Sequence, residues 1–280
     1  MMANPQLWVL AVTLAILVAE VVAGRHRHIY NRSDWLVNGI CIVLGSLVRP
    51  LSAVLVALLI AHLLPGARGA LSGIPFAPAL IGIVLLAEFA NYCVHRSSHY
   101  VKGSRWFDWF WRMHRTHHTA QYVNVLLNFR ISLFWGLVAG LTWVMSLAIY
   151  LGQAKAAGVA IVIFSFWGIF THSDFRWDDT IRSHRIFGRM FRMLEHIFVS
   201  PGIHHSHHGY GRDGGNYRNF GIFLSIYDWM FGTLHIPNGR PSRYGIPGVA
   251  PHWADDAFSP LRVSDFLSHR QGGEPTVEVS

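Results

Sequence analysis

The strongest constraint on this chain is that its apolar runs end in or near clusters of histidine. The clusters read His95-Arg-Ser-Ser-His99, His114-Arg-Thr-His117-His118 and His204-His-Ser-His207-His208. The first places imidazoles at i and i+4, and the other two each place three at i, i+3 and i+4. On a helix these offsets share one face, so each cluster can aim several ring nitrogens at one point. Eight such side chains suit two transition-metal ions better than one, because a single ion takes only about four to six ligands.

Apolar segments cover residues 6–24, 35–64, 78–94, 132–151 and 156–171. Hydrophobic residues make up 52% of the chain and charged ones 14%, with a mean hydropathy of +0.31. That is too apolar for an average soluble domain. The pattern predicts an all-α integral membrane protein with four to five transmembrane helices and a cytosolic, histidine-rich helical cap. Residues 1–75 read as N-terminal spans, 76–248 as a membrane-embedded di-metal domain and 249–280 as a cytosolic C-terminal tail. No secretory signal is expected at the start, since Met1–Pro5 carries no basic residue and the run after it is long enough to stay in the bilayer.

The second apolar segment is interrupted by Arg49-Pro50. It reads either as one long kinked helix or as a hairpin of two half-spans, since proline removes a backbone donor and bends the axis. Charge favours a single crossing. With the N-terminus outside, 20 of the 23 Lys and Arg residues lie on the inner side, leaving Arg68 and Lys155 in outer loops and Arg49 within the span. This satisfies the positive-inside rule, and it places all three clusters on the cytoplasmic side. The same bias accounts for the net charge of +8 without a nucleic-acid partner. Cys41 and Cys93 form no disulfide framework, and no internal repeat suggests a transporter. From about Asn238 the sequence is loop-rich, and residues 271–280 read as a disordered tail.

Several further residues are candidates to support such a site. Glu88, Asn91, Tyr92 and His95 fall on one helical stripe. Glu88 reads equally as an acceptor orienting a metal-bound histidine or as a polar contact between helices, and Asn91 lies one turn from His95. His172 ends the fifth apolar segment, level with the clusters, and reads as a further ligand with Asp174 as its partner. His205 points away from its neighbours on a helix and reads as a supporting residue. His196 is left open as a ligand because Pro201 separates it from His204, and His184 reads as a surface residue facing headgroups. His26, His28, His62, His235, His252 and His269 read as structural or surface residues. The aromatic run from Trp106 to Trp111 reads as an interfacial anchor.

Imidazole suits iron, zinc and copper and keeps a neutral donor nitrogen near pH 7. Zinc would supply a Lewis acid or an activated water. Iron adds redox chemistry with O2. At the inner membrane face, the accessible substrate is a lipid chain, whose unactivated C–H bonds have no acidic proton for a base to remove. Oxidation at an O2-activating iron centre is the route such a site favours.

The order of motifs resembles the fatty acid hydroxylase/sterol desaturase superfamily of membrane-bound histidine-rich di-iron oxidases. Tyr92-Cys-Val-His95-Arg resembles its YxxHR entry to the first box. Trp111-Arg-Met-His114-Arg-Thr-His117-His118 resembles its WRxHxxHH box, and Ser200-Pro-Gly-Ile-His-His-Ser-His-His resembles its TPxxHxxHH box. Asn216-Tyr217 followed by Tyr227-Asp228-Trp-Met-Phe-Gly-Thr233 resembles its NYG…WDxxFGT tail, and Tyr244-Gly245 its later YG. The resemblance spans roughly residues 80–248. It implies an O2-dependent di-iron oxidase that hydroxylates or desaturates a membrane lipid. It implies His95, His99, His114, His117, His118, His204, His207 and His208 as ligands, with His172 as a further one and Asn216 and Asp228 nearby. It also implies an external electron donor of ferredoxin or small cytochrome type. Two departures, Asp174 where the family often has Asn and Asn219-Phe220 interrupting the usual Gly after Asn-Tyr, bear on the substrate.

Two other functions compete: a zinc-dependent membrane hydrolase at the same histidines, and a non-enzymatic metal carrier or sensor. No HExxH occurs, which removes the commonest zinc-peptidase helix. A carrier would need polar residues within several spans, whereas only Glu20, Arg49 and Glu88 are charged inside apolar runs.

Overall fold

The computed structural model describes residues 5–248 and 250–264. Among them the chain is mostly helical. Three helices are long and apolar enough to cross a membrane: α2 (Arg32–Leu63), α3 (Phe76–Tyr100) and α7 (Ala154–His172). Two shorter apolar helices accompany them, α1 (Pro5–Val22) and α6 (Gly140–Tyr150).

Helix α2 forms as one continuous helix through Pro50, as the single-crossing reading expects. A reciprocal capping box starts it: the Asp34 amide donates to Asn31 Oδ1 at 2.9 Å and the Asn31 amide to Asp34 Oδ2 at 3.1 Å. Its 32 residues extend about 48 Å, beyond a hydrocarbon core of about 30 Å. The first turns carry Asp34 and Asn38 into a polar network with Arg130. Farther along, Val43, Leu47, Leu51, Leu55 and Leu58 are exposed, as a lipid-facing surface is.

The apolar segment at 132–151 does not form a full-length span. It begins with the four-residue helix α5 (Trp135–Val138), breaks at Ala139 and resumes as α6. At 11 residues, α6 rises about 17 Å, half the apolar thickness. The cause is a close crossing. A Cβ on Gly140 would lie 2.5 Å from the Ala90 carbonyl carbon, so α6 starts directly against the α3 backbone. Small residues then carry the packing of α3, α6 and α7, with Ala87, Ala157 and Ala160 fully buried beside Ile83, Met145 and Phe164.

The ends of these helices sort cleanly. Residues 64–74 meet the α6–α7 turn, where the Gly69 amide donates to Tyr150 O and the Leu71 amide to Leu151 O. At the other end lie the C-termini of α3 and α7 with their histidines, Glu20 of α1 and the start of α2. Glu20 is fully buried there and accepts the amides of Val125 and Asp174 at 3.2 and 2.7 Å and the His26 ring at 2.9 Å.

Short elements cap this end. They are α4 (Asp108–His118), a 3-10 turn (Val125–Phe129), α8 (Trp177–Ser183), α9 (Phe187–Leu194), α10 (Pro201–His208), α11 (Ile226–Met230) and α12 (Trp253–Ala257). A two-residue antiparallel ladder joins β1 (Gly209–Tyr210) to β2 (Arg243–Tyr244). Helix α12 lies in the stretch read as a tail, yet it docks on α2 and α4. Asp256 pairs with Arg130 at 3.0 Å, and its carbonyl accepts the Thr116 hydroxyl at 2.7 Å. Residues 271–280 and His269 lie outside the described residues.

Candidate metal centre

The histidine spacings work as helical faces. Helix α3 carries His95 and His99, α4 carries His114, His117 and His118, α7 ends at His172, and α10 carries His204, His207 and His208. Proline at the first position and a Ser200 cap, whose Oγ accepts the Ile203 amide, start α10 directly before its histidines. All nine rings are buried and fall into two groups. His95, His99, His114, His118 and His207 form one, and His117, His172, His204 and His208 the other, with donor atoms in each lying within 4.8 Å of one another.

The contacts inside the groups show what they could hold. The Nδ1 of His172 faces the Gly168 carbonyl at 2.6 Å, and that of His117 faces the Arg130 carbonyl at 3.2 Å. A carbonyl only accepts, so both Nδ1 atoms carry the hydrogen and both Nε2 atoms present lone pairs. Those two Nε2 atoms stand 3.2 Å apart. His204 Nε2 lies 2.9 Å from His172 Nε2 and 3.1 Å from His208 Nε2. In the other group His207 Nε2 is 3.1 Å and His114 Nε2 2.9 Å from His118 Nε2. Two lone pairs at such range repel unless a cation lies between them. With metal–nitrogen bonds of about 2.1 Å, neighbouring donors on a six-coordinate ion lie about 3.0 Å apart, which matches. His95 Nε2 and both His99 nitrogens are buried without any partner. The residues therefore fit a pair of metal ions.

Electrostatics keeps the donors available. Burial, reinforced by the neighbouring imidazoles, holds His114, His117, His118, His204 and His208 well below the ordinary histidine pKa. Burial does the same to His207. Their rings are neutral at pH 7.

Each oriented ring is held by main chain. His95 Nδ1 donates to Phe220 O at 2.7 Å, and His207 Nδ1 to Arg218 O at 2.7 Å. Asp228 grips the segment that carries Phe220, accepting the Phe220 and Gly221 amides at 2.8 and 2.7 Å. Glu88 Oε1 accepts the next two amides, Ile222 at 2.7 Å and Phe223 at 3.2 Å. Glu88 is thus neither a direct histidine partner nor a plain helix contact. Only glycine fits at 221, where a Cβ would lie 2.5 Å from Leu224 O and 3.2 Å from Glu88 Oε1. Burial raises the Asp228 pKa despite the hydrogen bonds from Thr233 and the two amides. The Thr233 hydroxyl bonds Asp228 at 2.7 Å and lies 3.0 Å from the Tyr92 hydroxyl, so the Tyr92–Arg96 and Tyr227–Thr233 motifs meet in space.

The remaining candidates sort as follows. Asn91 is buried, borders the cavity described below, and its Nδ2 has no partner. His205 is fully buried but turns to Tyr244 Oη at 3.3 Å, away from both groups. His196 faces Trp229 and the Arg192 carbonyl and joins neither group. Asp174 pairs with Arg25 and Arg176 rather than with His172. Asn216 is half-buried on the loop leading to Arg218 and Phe220. Trp106, Phe107 and Trp109 are exposed as an anchor would be, but Trp111 is buried with its ring 4.9 Å from His99.

Sequence reasoning missed three supports. Arg130 supplies the carbonyl for His117 and bridges Asp34 and Asp256, each at 3.0 Å; its place just before the apolar run that opens at residue 132 was its one signal. Asn219 spans Ile203 O and the His235 main chain. Asp178, Arg182, Glu195 and Arg240 form a buried ionic cluster at the α10 N-terminus, where Asp178 accepts the Gly202 amide at 2.7 Å.

A cavity of about 480 Å³ opens beneath the rings. Its lining includes His95 and His114 of one group, His117, His172 and His204 of the other, and Trp135, Leu141, Ile161 and Phe164 from the membrane helices and the α5–α6 break. A family model described as fatty acid hydroxylase matches residues 80–233, more than half of the chain. The chain belongs to the fatty acid hydroxylase family. No curated protein and no solved structure matches it. The family segment begins inside α3 and ends at Thr233, so it contains all nine histidines, Glu88 and Asp228, and excludes α1, α2 and α12. Membership of the fatty acid hydroxylase family implies an oxidoreductase, and the two histidine groups are able to bind metal.

Proposed function

We propose that this chain is an O2-dependent di-iron oxidase that hydroxylates or desaturates an unactivated C–H position of a membrane lipid. The observation that carries the reading is the cavity that touches both histidine groups and is walled by membrane helices. A lipid chain can enter it from the bilayer and reach the rings without crossing water. Five donors in one group exceed the four that zinc ordinarily takes, whereas iron accepts five or six.

His95, His99, His114, His118 and His207 would hold one iron, and His117, His172, His204 and His208 the other. Two irons bound there supply redox chemistry with O2. The chain's own residues do the rest. The carbonyls of Phe220, Arg130, Gly168 and Arg218 fix one tautomer on four rings. Ile131, Trp135 and Phe164 exclude water, and the break at Ala139 leaves room for the substrate. Electrons would come from an external donor of ferredoxin or small cytochrome type. Such a donor would approach from the cytoplasmic side, the side that the positive-inside rule favours for the rings.

The test is iron content, O2 consumption and lipid mass analysis on the purified protein with a supplied reductant. A hydroxylase yields a product heavier by one oxygen, and a desaturase one lighter by two hydrogens. Absence of iron, or O2-independent turnover, overturns the reading.

A further inference from the structure

The cavity also contains a cation that the histidine chemistry does not use. Arg49 lies in the middle of α2, outside the family segment, and lines the same cavity as the rings. Its Nη2 donates to Cys41 O at 3.2 Å and to Phe129 O at 2.7 Å. Its Nε is buried and unpartnered. Among the described residues no carboxylate lies within 4.0 Å of it. Gly45 makes room for it, since a Cβ there would lie 2.9 Å from Nη2. An arginine within a membrane span is costly and faces a polar partner or a cavity. This one has a cavity and spare donors in a rigid fork suited to oxygen acceptors.

Its position relative to the metal groups follows from the chain. Arg49 is bonded to the Phe129 carbonyl, and the next carbonyl, that of Arg130, receives the His117 ring. The guanidinium and a candidate ligand are thus anchored on adjacent peptide units. A second group points the same way: Asn91 also lines the cavity, is 2% exposed, and its Nδ2 lacks any partner. Beyond these polar groups the space continues as an apolar groove of about 270 Å³ between α6 and α7, lined by Ala53, Met145, Ile149 and Phe164.

We infer that Arg49, with Asn91, binds an oxygen acceptor on the substrate, a carboxylate or carbonyl, while the hydrocarbon chain runs along the α6–α7 groove. The substrate is then a single-chain amphiphile, oxidised at a carbon close to its polar group and not at its far end. This rests on the oxidase reading for the word substrate, but the binding geometry stands by itself.

The experiment uses iron-loaded protein in phospholipid nanodiscs, with empty nanodiscs as the partition control. Labelled hexadecanoic acid, hexadecanamide and hexadecane are the probes, and iron content is measured for every variant. The acid, or the acid and the amide, bind at least about tenfold more tightly than hexadecane, as a charge-assisted hydrogen bond provides. Preference for the acid marks a free carboxylate as the head, and parity with the amide marks a neutral carbonyl. Arg49→Met removes the preference over hexadecane and leaves hexadecane itself unchanged. If Arg49→Met fails to hold iron, Asn91→Asp decides. It keeps the Arg49 main-chain bonds, puts a competing negative charge in the cavity, and weakens the acid at least about tenfold while sparing hexadecane. Equal wild-type binding of acid and hexadecane overturns the inference. So does an iron-loaded Arg49→Met that binds the acid as wild type does, or an Asn91→Asp that leaves acid binding intact. If the Arg49-dependent preference is found but no lipid is oxidised, the binding inference survives and the oxidase reading fails.

Discussion

Glu88 and His95, two turns apart on α3, hold the same backbone segment from two sides. His95 donates to Phe220 O, and Glu88 accepts the amides of Ile222 and Phe223. Removing the carboxyl in Glu88→Ala leaves two part-buried amides unpaired, at up to about 1–3 kcal/mol each, and frees the carbonyl that orients His95. Iron affinity falls about 10–100-fold, the range for loss of a support beneath a ligand. Glu88→Gln keeps one oxygen acceptor and most of the iron. Metal titration of the purified variants checks this, and equal affinity of Glu88→Ala and wild type would refute it.

The division of nine histidines into five and four gives a stoichiometric expectation. His172→Ala, in the group of four, leaves three donors and lowers bound iron from two per chain towards one. His117→Ala and His207→Ala, one from each group, abolish oxygen-dependent turnover while the protein still inserts in the membrane. Elemental analysis beside O2 uptake reads both. Two irons and full turnover in His172→Ala would remove it from the centre.

Thr142 and Leu141 line both the cavity under the rings and the groove beyond it. Thr142→Trp fills that junction. Turnover of a long-chain lipid drops at least about tenfold, the loss of roughly 1.4 kcal/mol of transition-state binding, with iron content unchanged. Unaltered turnover would place the substrate path elsewhere.

Asp178 supplies a pH signature. Burial alone would raise its pKa, but the hydrogen bond and charge of Arg240, the charge of Arg182 and the Gly202 amide outweigh burial and hold it below the ordinary value. A depressed folded pKa means that its stabilisation is present above the unfolded value, about 3.9, and is lost as pH falls through the folded one. Asp178→Asn therefore costs about 3–5 kcal/mol at pH 7, as breaking a buried pair does, and the gap to wild type narrows below about pH 4. Unfolding curves at the two pH values test the sign.

Much of the site was legible because helical spacing converts directly into shared faces. His95 with His99, and the two HxxHH runs, needed only a helix to converge, and each has one. What was not legible depends on contacts between distant residues. Nothing local says that Asp174 turns to Arg25 and Arg176, or that Asp228 reaches Phe220. The break at Ala139 was hidden because hydropathy registers apolar length, while the close crossing of Gly140 over Ala90 decides where that length can stay helical. Trp111 was misread with its aromatic neighbours because periodicity over one helical turn separates an anchor from a wall of the metal site only once the partner helix is placed.

The four carbonyls that orient the rings come from a membrane helix and two connecting segments, and the rings themselves from α3, α4, α7 and α10. Ions at this junction would be the clasp of the whole cap, since their binding energy is also folding energy. Supply of iron would then govern how many copies of this protein survive quality control in the membrane, as well as how fast each one works.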